Sequence, residues 1–242
     1  VILLQESAKS EEEAAHMKQM VFERITSGGV QLEPQETRNA LYDGKMNQLC
    51  LSLSKNKYLC QFLGIPIRDL NDPNIIAKLD TNETYRKMDD VEYVLRFFAM
   101  RQLEGYSKRK LKDFFDYYLK NANGFSENLL EKLKCVFEET IEFANMLLGE
   151  KAFQMYRKRS LSSGTNWSWF SRTTTTIYDP MMQALSGMLP NKERLMENKD
   201  TILKDIEEFY KQYYEDFEGR NNNKSDIERR IELLKTFFEK YI

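Results

Sequence analysis

The sequence predicts a mainly α protein, a multi-helix domain with one remnant β-strand at its N-terminus. Three observations predict it. Glycine (10) and proline (5) are scarce in 242 residues, so a fold rich in strands and tight turns is disfavoured. Apolar residues recur at helical spacing through most of the chain. At 41% hydrophobic and 12% aromatic, the chain can also bury a sizeable core.

Val1-Ile2-Leu3-Leu4 is a short apolar run and reads as the strand. The first helix starts at Ser10, with Glu13 three residues on as a capping box. Ala14, Met17, Val21 and Ile25 make its apolar stripe, and Gly28 and Gly29 end it, since glycine tolerates a left-handed C-cap. Leu32 can staple the next helix, near 34–43, with Pro34 in its first turn. Another helix is expected over 45–63. Gly64-Ile65-Pro66 and Asp72-Pro73 break the pattern, so 65–82 reads as a linker. One long helix is expected over 83–104, burying Val91, Val94, Leu95 and Phe98, and another over 108–122, whose Lys108, Arg109, Lys110 and Lys112 read as a solvated start. Ser126 caps a helix of about five turns built on Leu130, Leu133, Phe137, Ile141, Ala144 and Leu148.

The stretch 157–176, RKRSLSSGTNWSWFSRTTTT, changes character. It is basic, then small and polar, with a threonine run that disfavours helix, and reads as a loop or short extended piece. It divides the chain into residues 1–156, a helical core, and residues 157–242, a C-terminal helical subdomain entered through a basic and aromatic linker. A short helix is expected over Asp179–Leu189, then helices near 199–217 and 225–241, the last capped by Ser225 with Glu228. The Gly219–Lys224 turn folds these two into an antiparallel hairpin.

Charge and cysteine content narrow the function classes. The formal net charge of −2 gives no global field toward nucleic acid, so any such contact needs a local patch. Cys50, Cys60 and Cys135 form no Cys-x-x-Cys pair, which suits a reducing cytoplasm better than a disulfide or zinc scaffold. No apolar run approaches a membrane span. No phosphate-binding glycine loop, Gly-x-Ser-x-Gly or metal-ligand spacing is present, and His16, the one histidine, sits beside Glu11–Glu13 as a surface residue. No catalytic residue, metal or cofactor is assigned to this chain.

Candidate contacts fall in two groups. Arg24, Glu36 and Arg38, with the backbone at Gly28 and Gly29, stand around one tight turn. They suit a phosphate contact and equally an Arg–Glu network that locks two helices. Arg157, Lys158, Arg159 and Arg172 flank Trp167 and Trp169, and Arg220, Lys224, Arg229 and Arg230 sit at the last hairpin. Cations with aromatics suit DNA, and equally a basic loop whose tryptophans pack on the core. Glu92 and Arg96, four apart, form a helix ion pair, with Asp89 and Asp90 before them.

The block Phe22 to Asn39, FERITSGGVQLEPQETRN, resembles the GmrSD restriction endonuclease N-terminal domain family of DNA-defence proteins. Phe22, Arg24, Ile25, Gly28, Gly29, Val30, Leu32, Glu36, Arg38 and Asn39 match the family's pattern, and Thr26 stands where it has asparagine. Asp90-Val91-Glu92-Tyr93-Val94-Leu95-Arg96 is similar to its Asp-x-Glu-x-Val-Leu-Arg helix, and Gly219 to Arg230 to its late polar turn and helix. The resemblance implies a preceding ParB-like half that binds and hydrolyses a nucleoside triphosphate; its Asp-Gly-Gln-Gln-Arg motif is absent here, as are the histidines of an HNH nuclease. It implies that the helices couple that half to DNA or to a nuclease. Arg24, Gly28, Gly29, Glu36 and Arg38 would then be the interface to the nucleotide half.

Overall fold

A computed structural model describes residues 32–68, 71–106, 110–161, 164–219 and 223–242. The expected strand at Val1–Leu4, the helix from Ser10, the Gly28–Gly29 turn, Arg24, Lys108, Arg109 and Arg220 lie outside the described residues.

The fold is mainly α. Its helices in chain order are α1 (Pro34–Leu41), α2 (Lys45–Leu53), α3 (Lys57–Leu63), α4 (Pro73–Thr81), α5 (Glu83–Arg86), α6 (Asp89–Met100), α7 (Leu111–Ala122) and α8 (Glu127–Leu148). A two-stranded antiparallel hairpin follows, β1 (Tyr156–Leu161) and β2 (Gly164–Trp169), with Tyr156 opposite Trp169 and Leu161 opposite Gly164. Then come α9 (Thr175–Met188), α10 (Lys192–Glu197), α11 (Lys199–Gln212), α12 (Tyr214–Phe217) and α13 (Lys224–Glu239).

Ser126 caps α8 as its sequence predicts, its hydroxyl accepting from the Leu129 amide at 3.3 Å. Elsewhere local caps subdivide the expected helices. The 45–63 stretch breaks because Asn56 accepts from the amides of Tyr58 and Leu59 and starts α3 afresh. The 83–104 stretch breaks because Met88 takes a left-handed backbone, φ 58°, at the N-cap of α6. Asp89, Asp90 and Glu92 then fill the first turn of α6, where carboxylates complement the helix dipole. The expected linker 65–82 contains α4, with Asp72 as its N-cap and Pro73 in its first turn. The extended piece in 157–176 is the hairpin, and α9 starts at Thr175, earlier than Asp179. At α13 the capping box is Asn223 with Asp226, in place of the expected Ser225 with Glu228.

One cluster of buried residues runs from Met46 to Phe238 and crosses the division expected near 157–176. α6 lies deep within it, with Val94, Leu95, Phe97 and Ala99 fully buried. α8 is the spine, presenting Phe137, Ile141, Phe143, Ala144 and Leu147. α9 is buried from Ile177 to Leu185 and packs on α6, α8 and α13. Each such buried aliphatic or aromatic side chain contributes roughly 1.5–3 kcal/mol. α11 and α13 lie antiparallel, with Phe209 against Phe237 at 4.9 Å and Asp205 accepting from the Tyr241 hydroxyl at 2.8 Å.

Candidate functional site

Buried charge marks one place in this core. Arg38, on α1, is 2% exposed and is among the largest side chains removed from water. Its Nη1 meets Glu92 Oε2 on α6 at 2.7 Å and Gln35 Oε1 at 3.1 Å, and its Nε meets Asp116 Oδ1 on α7 at 2.6 Å. The other Glu92 oxygen accepts from Arg96 Nη1 at 3.2 Å. Arg96 in turn forks onto Asp179 of α9, with Nε to Oδ1 at 2.9 Å and Nη2 to Oδ2 at 2.5 Å. Glu92 thus stands between two guanidiniums and gives one oxygen to each. Both cations also lie over the Phe115 ring, Arg96 at 5.0 Å and Arg38 at 5.5 Å from its centroid.

This chain of charges ties α1, α6, α7 and α9 together. Burial opposes the Arg96 charge, but Asp179 beside it more than offsets that and holds the guanidinium firmly protonated. Arg230 of α13 is 3% exposed and donates Nε to the Asp216 carbonyl at 2.5 Å, with Asp179 within electrostatic reach. A parallel pair, Arg68 with Asp90, closes the neighbouring side of α6 beneath Tyr85.

The expected gathering of Glu36 with Arg38 is corrected. Two residues apart on a helix, they point to opposite sides. Glu36 caps its own helix by accepting from the Glu33 amide at 2.8 Å, while Arg38 turns inward. Asn39 Oδ1 accepts from Asn47 Nδ2 at 2.8 Å, which ties α1 to α2. Arg24, Gly28 and Gly29 lie outside the described residues. The Glu92–Arg96 pair exists, but as the middle of a buried chain whose other members, Gln35, Asp116 and Asp179, the sequence reading missed. Asp179 carried one signal: it is the lone charge in the apolar helix TTIYDPMMQALSGM, and a lone buried carboxylate needs a cation.

The expected DNA contacts divide. Trp167 and Trp169 pack rather than present open faces: Trp167 stacks on Tyr156 and meets Tyr214 at 5.3 Å, and Trp169 meets Tyr210 at 5.9 Å. Trp169 Nε1 also donates to Glu207 at 3.0 Å. Arg230 is committed to the core, which removes it from any DNA surface. Lys224 pairs with Glu228 at 3.6 Å, and Arg229 pairs with Asp216. Arg220 lies outside the described residues. Arg172 is exposed at the rim of a cavity of about 690 Å³ that also holds Glu83, Asp89 and Glu150, so its surroundings are acidic. There burial, with Glu92 nearby, pushes the Asp89 carboxyl up to about 6. Lys158 and Arg159 are exposed and Arg157 is half-buried.

Among the described residues no group of three metal-ligating side chains is close enough to hold a metal ion. No helix among them is long and apolar enough to cross a membrane. Compared with protein-family models, with curated proteins and with solved structures, the chain matches none.

Proposed function

We infer that this chain is the helical part of a GmrSD-like DNA-defence protein, coupling a nucleotide-binding half to DNA or to a nuclease. One observation carries the reading. Two of the three sequence blocks that suggested the family, the described end of Phe22 to Asn39 and the helix from Asp90 to Arg96, meet in space through Arg38 and Glu92, 54 residues apart in sequence. A buried charged joint at that place gives α1, and whatever precedes it, a rigid handle on α6, α7 and α9. Displacement of α1 would be felt by all three helices, because none of the buried charges can be left unpaired cheaply.

A second reading is a non-catalytic helical module that grips DNA or a protein partner. It is favoured by Lys158 and Arg159, which are exposed and make no ion pair among the described residues.

Hydrogen exchange on the intact protein separates the two. On adding nucleoside triphosphate, the first reading expects slower amide exchange over Pro34–Leu41 and Asp89–Met100. Unchanged exchange at both segments with every triphosphate tested would sink it and leave the binding-module reading in front.

A further inference from the structure

The hairpin has two unlike faces. Residues directly opposite in an antiparallel pair share a face. Tyr156 and Trp169, with Trp167 beside them, therefore point one way, onto Glu207, Tyr210 and Tyr214 of the last helices. Lys151 adds to the clamp, meeting Glu207 at 3.3 Å and lying over Trp169 at 4.9 Å. The other face carries Arg157 opposite Ser168 and Arg159 opposite Asn166. Arg157 lies over the Phe170 ring at 3.9 Å, which fixes its guanidinium before any partner arrives. Arg159 and Asn166 are exposed.

The electrostatics of this element differ from the rest of the chain. The protein carries a net charge of −2, yet no aspartate or glutamate occurs between Glu150 and Asp179. Arg157, Lys158 and Arg159 make no ion pair among the described residues. They stand on a short, twisted, rigidly anchored ribbon of two six-residue strands.

The geometry points to the β1–β2 ribbon as a contact surface for duplex DNA, its Arg157–Arg159–Asn166 face turned to the major groove. A two-stranded ribbon fits the B-form major groove, about 12 Å wide, whereas the deep and narrow major groove of A-form RNA does not admit one. Arginine and asparagine are also the side chains that donate to phosphates and base edges there. The inference rests on the DNA contact of the proposed function and names where it is made.

The test is fluorescence anisotropy of the full chain with a labelled mixed-sequence DNA duplex over a series of salt concentrations. Binding should weaken steeply with salt, since each neutralised phosphate releases counterions. Arg157→Gln with Arg159→Gln, the two cations of that face, should weaken binding roughly tenfold and flatten the salt slope by about two contacts. Lys120→Gln with Lys132→Gln, an equal charge change at exposed positions on α7 and α8, should change neither. Lack of salt-dependent binding overturns the proposal. So does equal weakening by the control pair, which would mean a diffuse charge effect, and so does equal affinity for an RNA duplex, which would mean no groove fit. Loss of the DNA contact alongside a preserved nucleotide effect on α1 exchange would remove the ribbon and leave the coupling reading standing.

Discussion

Arg38 is the residue on which the first helix depends. α1 buries only Gln35 and Arg38 among its side chains, so its attachment is polar rather than hydrophobic. Removing one member of a buried ion pair leaves its partners desolvated and unpaired, at a cost of 3–5 kcal/mol in fully buried cases. Glu92 and Asp116 are each about a quarter exposed, which lets water relieve part of that loss. Arg38→Ala should therefore destabilise the protein by about 3 kcal/mol in urea unfolding. Arg38→Lys should recover little, because an ammonium has no planar fork to hold carboxylates on two different helices. A loss under about 1 kcal/mol in Arg38→Ala would show that the charge chain is incidental. Sequence exposes one half of this chain. Glu92 and Arg96 share a helix face, and that spacing is local. Arg96 meets Asp179 across 83 residues, and no local pattern encodes a pairing made only when α9 docks on α6.

At the scale of elements, helix starts repeat the same lesson. Ser126 was legible because its cap is its own neighbour three residues on. The start of α2 falls at Lys45, where the expected helix begins, but its cap was not legible, because it comes from another helix. Its N-cap residue is Gly44, which has no side chain to offer. Asn123, at the end of α7, accepts from the amides of Met46 and Asn47, both at 3.1 Å, and donates to the Tyr42 carbonyl at 2.9 Å. Gly44 is required by that approach: its φ of 170° suits any residue, but a Cβ there would overlap the Asn123 side chain. Asn123→Ala leaves two helix amides without a protein partner and should cost about 2 kcal/mol. Gly44→Ala should cost a similar amount by pushing Asn123 aside. The two effects should not add, since without Asn123 the new methyl has room. A double-mutant cycle measured by denaturant unfolding should show at least about 1 kcal/mol of coupling. Strict additivity would mean that the cap is not made across this gap. The split at Met88 is of the same kind: no glycine or proline interrupts residues 83–100, and no local pattern marks the left-handed residue at Met88, which packs against the core.

For the whole molecule, the question is whether residues before and after the hairpin form one cooperative unit. Composition shifts sharply at 157–176, and that shift reads as a boundary. A run of basic, small and aromatic residues can equally be a hairpin pinned to a continuous core, and the distinction depends on what the flanking helices bury. α9 buries Ile177, Tyr178, Met181, Met182 and Leu185 against helices from both sides of the hairpin, and its Asp179 is tied to α6. Separating the two parts would expose that apolar surface and strand a buried carboxylate, so the cost is hydrophobic and electrostatic together. The chain supplies two probes on opposite sides of the supposed boundary. Trp167 and Trp169, its two tryptophans, sit on the hairpin against α11 and α12, while Cys50, on the inner face of α2, is 1% exposed. In a urea titration, tryptophan fluorescence and thiol labelling of Cys50, with Cys60 and Cys135 replaced by Ala and Ser, should follow one transition with a common midpoint. Midpoints that differ beyond experimental error would show two units, and would confine the charge chain to a docking contact between them.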